Sequence, residues 1–79
     1  MSKGYTVSVV HANADADPQL LGVQLGRYCI ANNIPVIEVA EALGVTRAAV
    51  YNWFSGGTVG KAAHVAAIKS YLGLEDTVD

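Results

Sequence analysis

Arg47, Ala48, Tyr51 and Asn52 lie close together in the chain, and their side chains are of the kinds that read base edges in duplex DNA. A guanidinium fork pairs with O6 and N7 of guanine, a primary amide suits adenine, and a methyl packs on that of thymine. Arg47 comes first and is the expected leading base contact. Asn52 shares its exposed side loosely, Ala48 offers the methyl, and Tyr51, one turn beyond Arg47, suits a base or the sugar-phosphate. Each has a plainer alternative: a solvated arginine or a phosphate contact, a surface amide, a packed ring. Around them stand groups suited to the DNA backbone, namely Thr46, Ser55, Thr58, Lys61 and the amides of Gly56 and Gly57.

Such a set acts only from an element that protrudes. Val36 to Ser55, VIEVAEALGVTRAAVYNWFS, reads as a helix over 36–43, a three-residue turn, and a helix over 47–54. Ala40 is small enough for two backbones to approach where the helices cross. Gly44 suits a left-handed turn, which costs a residue bearing a Cβ roughly 1 kcal/mol or more. Val45 closes the turn as a core plug, Thr46 caps the second helix, and Val50 and Trp53 face back at i, i+3. A helix held steeply across another in this way can enter the major groove end-first.

Residues Leu21 to Leu72 resemble the DNA-binding domain of the Cro/lambda-repressor family. The likeness is carried by Leu25 and Tyr28 with Asn33 as a helix-ending position, by Val39-Ala40, Leu43-Gly44-Val45, Val50 and Trp53, and by Ala62, Val65, Ile68 and Leu72. It implies an all-α, lambda-repressor-like helix-turn-helix domain. It further implies a transcriptional regulator, a Cro-type repressor binding double-stranded DNA as a homodimer, in the cytoplasm of a bacterium or a phage-infected host. Three positions depart from the family pattern. Val36 stands where a phosphate-contacting Gln is common, Gly57 where a basic or polar residue follows the glycine, and Phe54 where a polar residue follows the tryptophan. The swaps remove phosphate partners and add apolar surface.

Charge sets a limit on this reading. The net charge is −2, whereas phosphate contacts supply most non-specific affinity for DNA. The distribution is kinder: Arg47, Lys61 and Lys69 lie between Gly44 and Gly73 with no carboxylate among them. The acids fall at Asp15, Asp17, Glu38, Glu41, Glu75, Asp76 and Asp79. The length, 79 residues, allows one small core, and the apolar fraction of 52% suits a folded unit. No signal peptide or membrane-spanning run is read in the chain, and one cysteine, Cys29, forms no intrachain disulfide. His11, His64 and Cys29 are too few and too separated for zinc, and neither a nucleophile elbow nor a phosphate loop occurs. Catalysis, cofactors, metals, small-molecule ligands and membrane partners are therefore not expected.

The remaining elements follow from local signals. Tyr5 to Val10, YTVSVV, alternates β-branched and aromatic residues and predicts a short strand. It would pair with Thr77-Val78, pair with the same strand of a second subunit, or remain an arm. His11 to Ala16 reads as a polar connector. Asp17 as N-cap and Pro18 as first residue predict a helix to about Asn32, burying Leu21, Leu25 and Tyr28. Gly22 and Gly26 read as glycines tolerated by packing rather than as a special close contact. Trp53 is expected in the core, and Phe54 against the closing helix or a neighbouring subunit, since adjacent residues do not both reach full depth. Ser55 to Gly60 is a loop, Lys61 to Leu72 a helix, and Gly73 its cap. The expected organisation is an arm or strand over 1–16, an all-α domain of four helices, with room for a fifth, over 17–73, and an acidic tail over 74–79. Tyr5, Val7, Val9, Tyr71 and Leu74 are the expected dimer or partner surface. The alternative function is a helix-turn-helix adaptor whose main partner is a protein, such as host RNA polymerase or another regulator.

Overall fold

Five helices make up the computed structural model, which describes residues 5–74: α1 (Val7–Asp15), α2 (Leu21–Ala31), α3 (Val36–Leu43), α4 (Arg47–Phe54) and α5 (Ala62–Leu72). No strand occurs among the described residues. Residues 75–79 of the expected tail over 74–79, with the pairing through Thr77-Val78, lie outside them. No helix of the described residues is long and apolar enough to cross a membrane.

The expected strand over Tyr5–Val10 and the connector after it are corrected to one helix. Thr6 is its N-cap, with the side-chain oxygen accepting from the Val9 amide at 3.3 Å. Arg27 donates to the carbonyls of Asn13 and Ala14 at the other end, satisfying orphan acceptors there. The valines have strand propensity, but tertiary burial outweighs it. Tyr5 is buried, stacks on Phe54 with ring centroids 6.0 Å apart, and its hydroxyl donates to the Ile34 carbonyl. Val9 and Val10 pack against the same core. The buried stripe of this helix contains Asn13, so its period is disguised in the sequence.

Asp17 does not cap a helix. Its carboxylate accepts from the Gln19 amide at 2.9 Å, and the Leu20 amide reaches the Asp17 carbonyl, making a turn with Pro18 inside it. α2 starts later, at Leu21, with the Gln24 side-chain Nε2 donating back to the Pro18 carbonyl. Its buried residues are Gly22, Val23, Leu25, Gly26 and Cys29. Tyr28, expected inside, is 44% exposed and meets Tyr71 edge-on. The core face runs through 22, 25, 26 and 29, the i, i+3, i+4, i+7 spacing of one helix side, and Tyr28 falls at its margin. Burial pushes the Cys29 thiol up to about 12, with the Glu38 charge adding to the rise.

The two α2 glycines also correct their expectation. A Cβ on Gly22 would stand 2.7 Å from both the Trp53 Cβ and the Trp53 carbonyl oxygen. A Cβ on Gly26 would stand 2.9 Å from Cγ of Phe54 and overlap the Asn13 amide. The backbone of α4 therefore lies directly on α2, and only glycine admits it. Trp53 and Phe54, adjacent in sequence, are both buried. Residues about 100° apart on a helix can both be covered when neighbours flank it on two sides. Trp53 turns to Gly22 and His64, while Phe54 turns to Gly26 of α2 and to Tyr5, just ahead of α1.

α3 and α4 keep their expected bounds, and α5 begins one residue later than expected, with Lys61 as its N-cap. Asn33 has φ 55° between α2 and α3, and Gly73 has φ 76° after α5. Both are left-handed helix ends.

Candidate nucleic-acid interface

α3 and α4 are separated by Gly44, Val45 and Thr46 alone. Gly44 takes φ 70°, its amide reaching the carbonyls of Ala40 and Glu41, and the Val45 amide bonds the Ala40 carbonyl at 3.0 Å. Val45 then packs against the core, and Thr46 restarts the chain by accepting the Ala49 amide at 3.2 Å. Val36, Val39 and Ala40 of α3 are buried beneath this turn. The local geometry is thus set by hydrogen bonds the turn makes with itself.

α4 divides by face. Val50, Trp53 and Phe54 are buried, whereas Arg47, Ala48, Tyr51 and Asn52 are exposed. The structure brings these four together on one helix with no carboxylate of the helix beside them. Arg47 and Lys61 are both exposed, and neither forms an ion pair among the described residues. The charge of Glu38 is felt at Cys29 and at Tyr71, which places that acid on the α2–α5 side. Burial is the larger cause of the rise at Tyr71, where the phenol is pushed above its ordinary value.

Several proposed contacts have other work in the fold. The Gly56 amide donates to the Trp53 carbonyl at 3.1 Å and the Gly57 amide to the Asn52 carbonyl at 2.7 Å. Both terminate α4, so neither is an unshared donor for phosphate. The Ser55 hydroxyl likewise donates to the carbonyls of Tyr51 and Asn52. The Asn52 amide rests over Gly57, where a Cβ would overlap it. To meet a base, that amide must swing off the loop. Thr46, Thr58 and Lys61 are exposed.

The expected partner surface is broken up. Tyr5 is buried and Val9 packs on the core, so neither offers a face to a second subunit. Val7 is 69% exposed, Tyr71 is half-buried against Tyr28, and Leu74 is exposed. Between α1 and α4 lies an open cleft of about 340 Å³, lined by Thr6, Ser8, Val9, Ala12, Tyr51 and Ser55. Tyr51 is thereby the one base-contact candidate that borders α1.

No protein-family model matches the chain, and no curated protein or solved structure matches it either.

Asn13 is the residue the sequence reading missed. It is the one buried polar side chain among the described residues, donating to the Val23 carbonyl at 3.1 Å and the Phe54 carbonyl at 2.8 Å. It joins α1, α2 and α4 at a single point. A signal existed, since Val9, Val10 and Asn13 share a helical face, but a polar residue on that face reads as a break in the pattern.

Proposed function

We propose that the chain is a sequence-specific double-stranded DNA-binding protein, a transcriptional regulator of the Cro/lambda-repressor helix-turn-helix kind, with α4 as the helix that enters the major groove. The observation that carries this reading is the division of α4: its apolar side is anchored, and Arg47, Ala48, Tyr51 and Asn52 are left outside at a capped helix start. A helix about 10–12 Å across fits a major groove about 12 Å wide. Arg47 is the leading base contact, with Ala48 and Tyr51 beside it and Asn52 after release from Gly57. Thr46, Thr58 and Lys61 contact the backbone, and the amides of Gly56 and Gly57 are withdrawn from that role. A homodimer, joined through Tyr71 and Leu74, would set two α4 helices about 34 Å apart on a pseudo-palindrome. Repression would follow by occluding promoter DNA.

Selection from a random duplex library tests the proposal. The expected result is a palindrome with half-sites about one helical turn apart, whose preference Arg47→Ala abolishes at one position of each half-site. Enrichment of no sequence overturns it.

A second reading, a helix-turn-helix adaptor for a protein partner, is supported by the exposed apolar side chains Val7, Leu20, Tyr28, Ile37 and Leu74. The spent glycine amides support it too. Retention of one protein partner without any duplex binding from low to high salt would favour it.

A further inference from the structure

Asn13 lies far from Arg47 along α4, yet it touches the part of the helix that determines where Arg47 points. The Phe54 carbonyl is one of the acceptors that a helix leaves unsatisfied at its C-terminal end. Asn13 fills it at 2.8 Å and holds the Val23 carbonyl at 3.1 Å with the other hydrogen of the same amide group. One rigid planar group therefore links the end of α4 to the first turn of α2. Its own helix is tied down in turn, by Arg27 on the carbonyls of Asn13 and Ala14 and by the Tyr5 hydroxyl on the Ile34 carbonyl. Gly26 leaves the space the amide occupies.

One residue before this joint, Trp53 rests on Gly22 backbone to backbone, which makes the contact a pivot. Apolar burial holds a helix down without fixing its angle, because the attraction is non-directional. Hydrogen bonds weaken steeply when bent, and so they do fix an angle. With about 1.5 Å of rise per residue, Arg47 lies on the order of 10 Å from the joint. A tilt of about 10° there would carry the Arg47 end by roughly 2 Å. Binding groups work within about 0.5 Å of their productive geometry.

We propose that Asn13 is a positioning residue for base readout: through the Phe54 and Val23 carbonyls it sets the pose of α4, and thereby sequence discrimination rather than general affinity for duplex. The proposal rests on the DNA-binding reading above for its functional half, and on α4 geometry alone for the other.

Asn13→Ala, the milder Asn13→Ser and a core control on α5, Ile68→Val, are compared with the unaltered protein at a temperature where each is folded. Backbone amide signals of Arg47, Ala48 and Ala49 are followed in the free protein. Affinity is then measured for the library-selected duplex and for mixed-sequence duplex across a salt series. Both Asn13 variants are expected to move the three amide signals and to lower the ratio of selected to mixed affinity by about tenfold. Mixed-duplex affinity and its salt slope should stay within about twofold. Ile68→Val should change neither the signals nor the ratio. Should Asn13→Ala unfold, Asn13→Ser gives the same two readouts. Unmoved amide signals, or both affinities falling together in step with the folded fraction, overturn the proposal. If the unaltered protein selects no sequence, the DNA reading falls while the amide signals still decide whether Asn13 sets the pose of α4.

Discussion

The two ends of α4 are held in opposite ways. At its start, Thr46 caps the Ala49 amide, and Arg47 and Ala48 stand in solvent with no ion pair among the described residues. At its end, Trp53 and Phe54 are buried, the backbone lies on Gly22, and the Phe54 carbonyl is bound by Asn13. A short helix can offer one end to a partner only if its other end is fixed. An isolated helix of this length would be marginal in water, so its order comes from the anchored half. The proposed recognition residue Arg47 and the buried anchors Trp53 and Phe54 thus occupy opposite ends of one element.

Substitutions at the anchored end should break this arrangement most severely. Phe54→Ala removes a fully buried ring packed on Tyr5 and Gly26, at a cost of about 3–5 kcal/mol. That approaches the whole stability of a small domain, near the lower limit of about 5 kcal/mol. Circular dichroism during urea unfolding should show a midpoint moved close to zero denaturant. A sharper probe is Gly22→Ala. Alanine favours helix over glycine by about 1 kcal/mol, yet here its methyl must displace the α4 backbone, and a net loss of about 1–3 kcal/mol is expected. Gly60→Ala is the matched control, because a Cβ there meets nothing within 4 Å, and its stability should stay within about 0.5 kcal/mol. A Gly22→Ala protein more stable than the original would mean that the two helices separate cheaply.

The presented end should respond weakly in stability and strongly in recognition. Thr46→Ala loses one cap, for about 1 kcal/mol by urea unfolding. Arg47→Ala should change stability least, within about 0.5 kcal/mol, because its side chain is exposed. Its duplex discrimination should fall by about 1–3 kcal/mol in the same preparation. If Arg47→Ala melted early, the separation of the two ends would be wrong.

Local chemistry explains which parts were legible. Gly44, Asn33 and Gly73 end helices in the left-handed conformation because each residue type tolerates it, and Thr46 caps because its oxygen reaches a nearby amide. These decisions are made within a few residues, so the bounds of α3 and α4 follow from composition and spacing. The exposure of Arg47 and Ala48 follows from the same phase, since Val50 and Trp53 must point the other way. The hydrogen bonds from the Gly56 and Gly57 amides to α4 are not legible in the sequence, because a helix end that consumes them looks like any glycine turn in one dimension.

The sequence by itself determined where α3 and α4 begin and end and which side of α4 faces out, since neighbours a few residues apart settle turns, caps and helical phase. Tertiary structure decided the rest. It made Val7–Asp15 helical where a strand over Tyr5–Val10 and a connector were expected, chose Cys29 over Tyr28 for the interior, buried Trp53 and Phe54 together, and gave Gly22, Gly26 and Asn13 their contacts with α4. Those outcomes depend on residues distant in the chain meeting in space, where the burial and hydrogen bonds gained at the contact exceed the local preferences of the segments that form it.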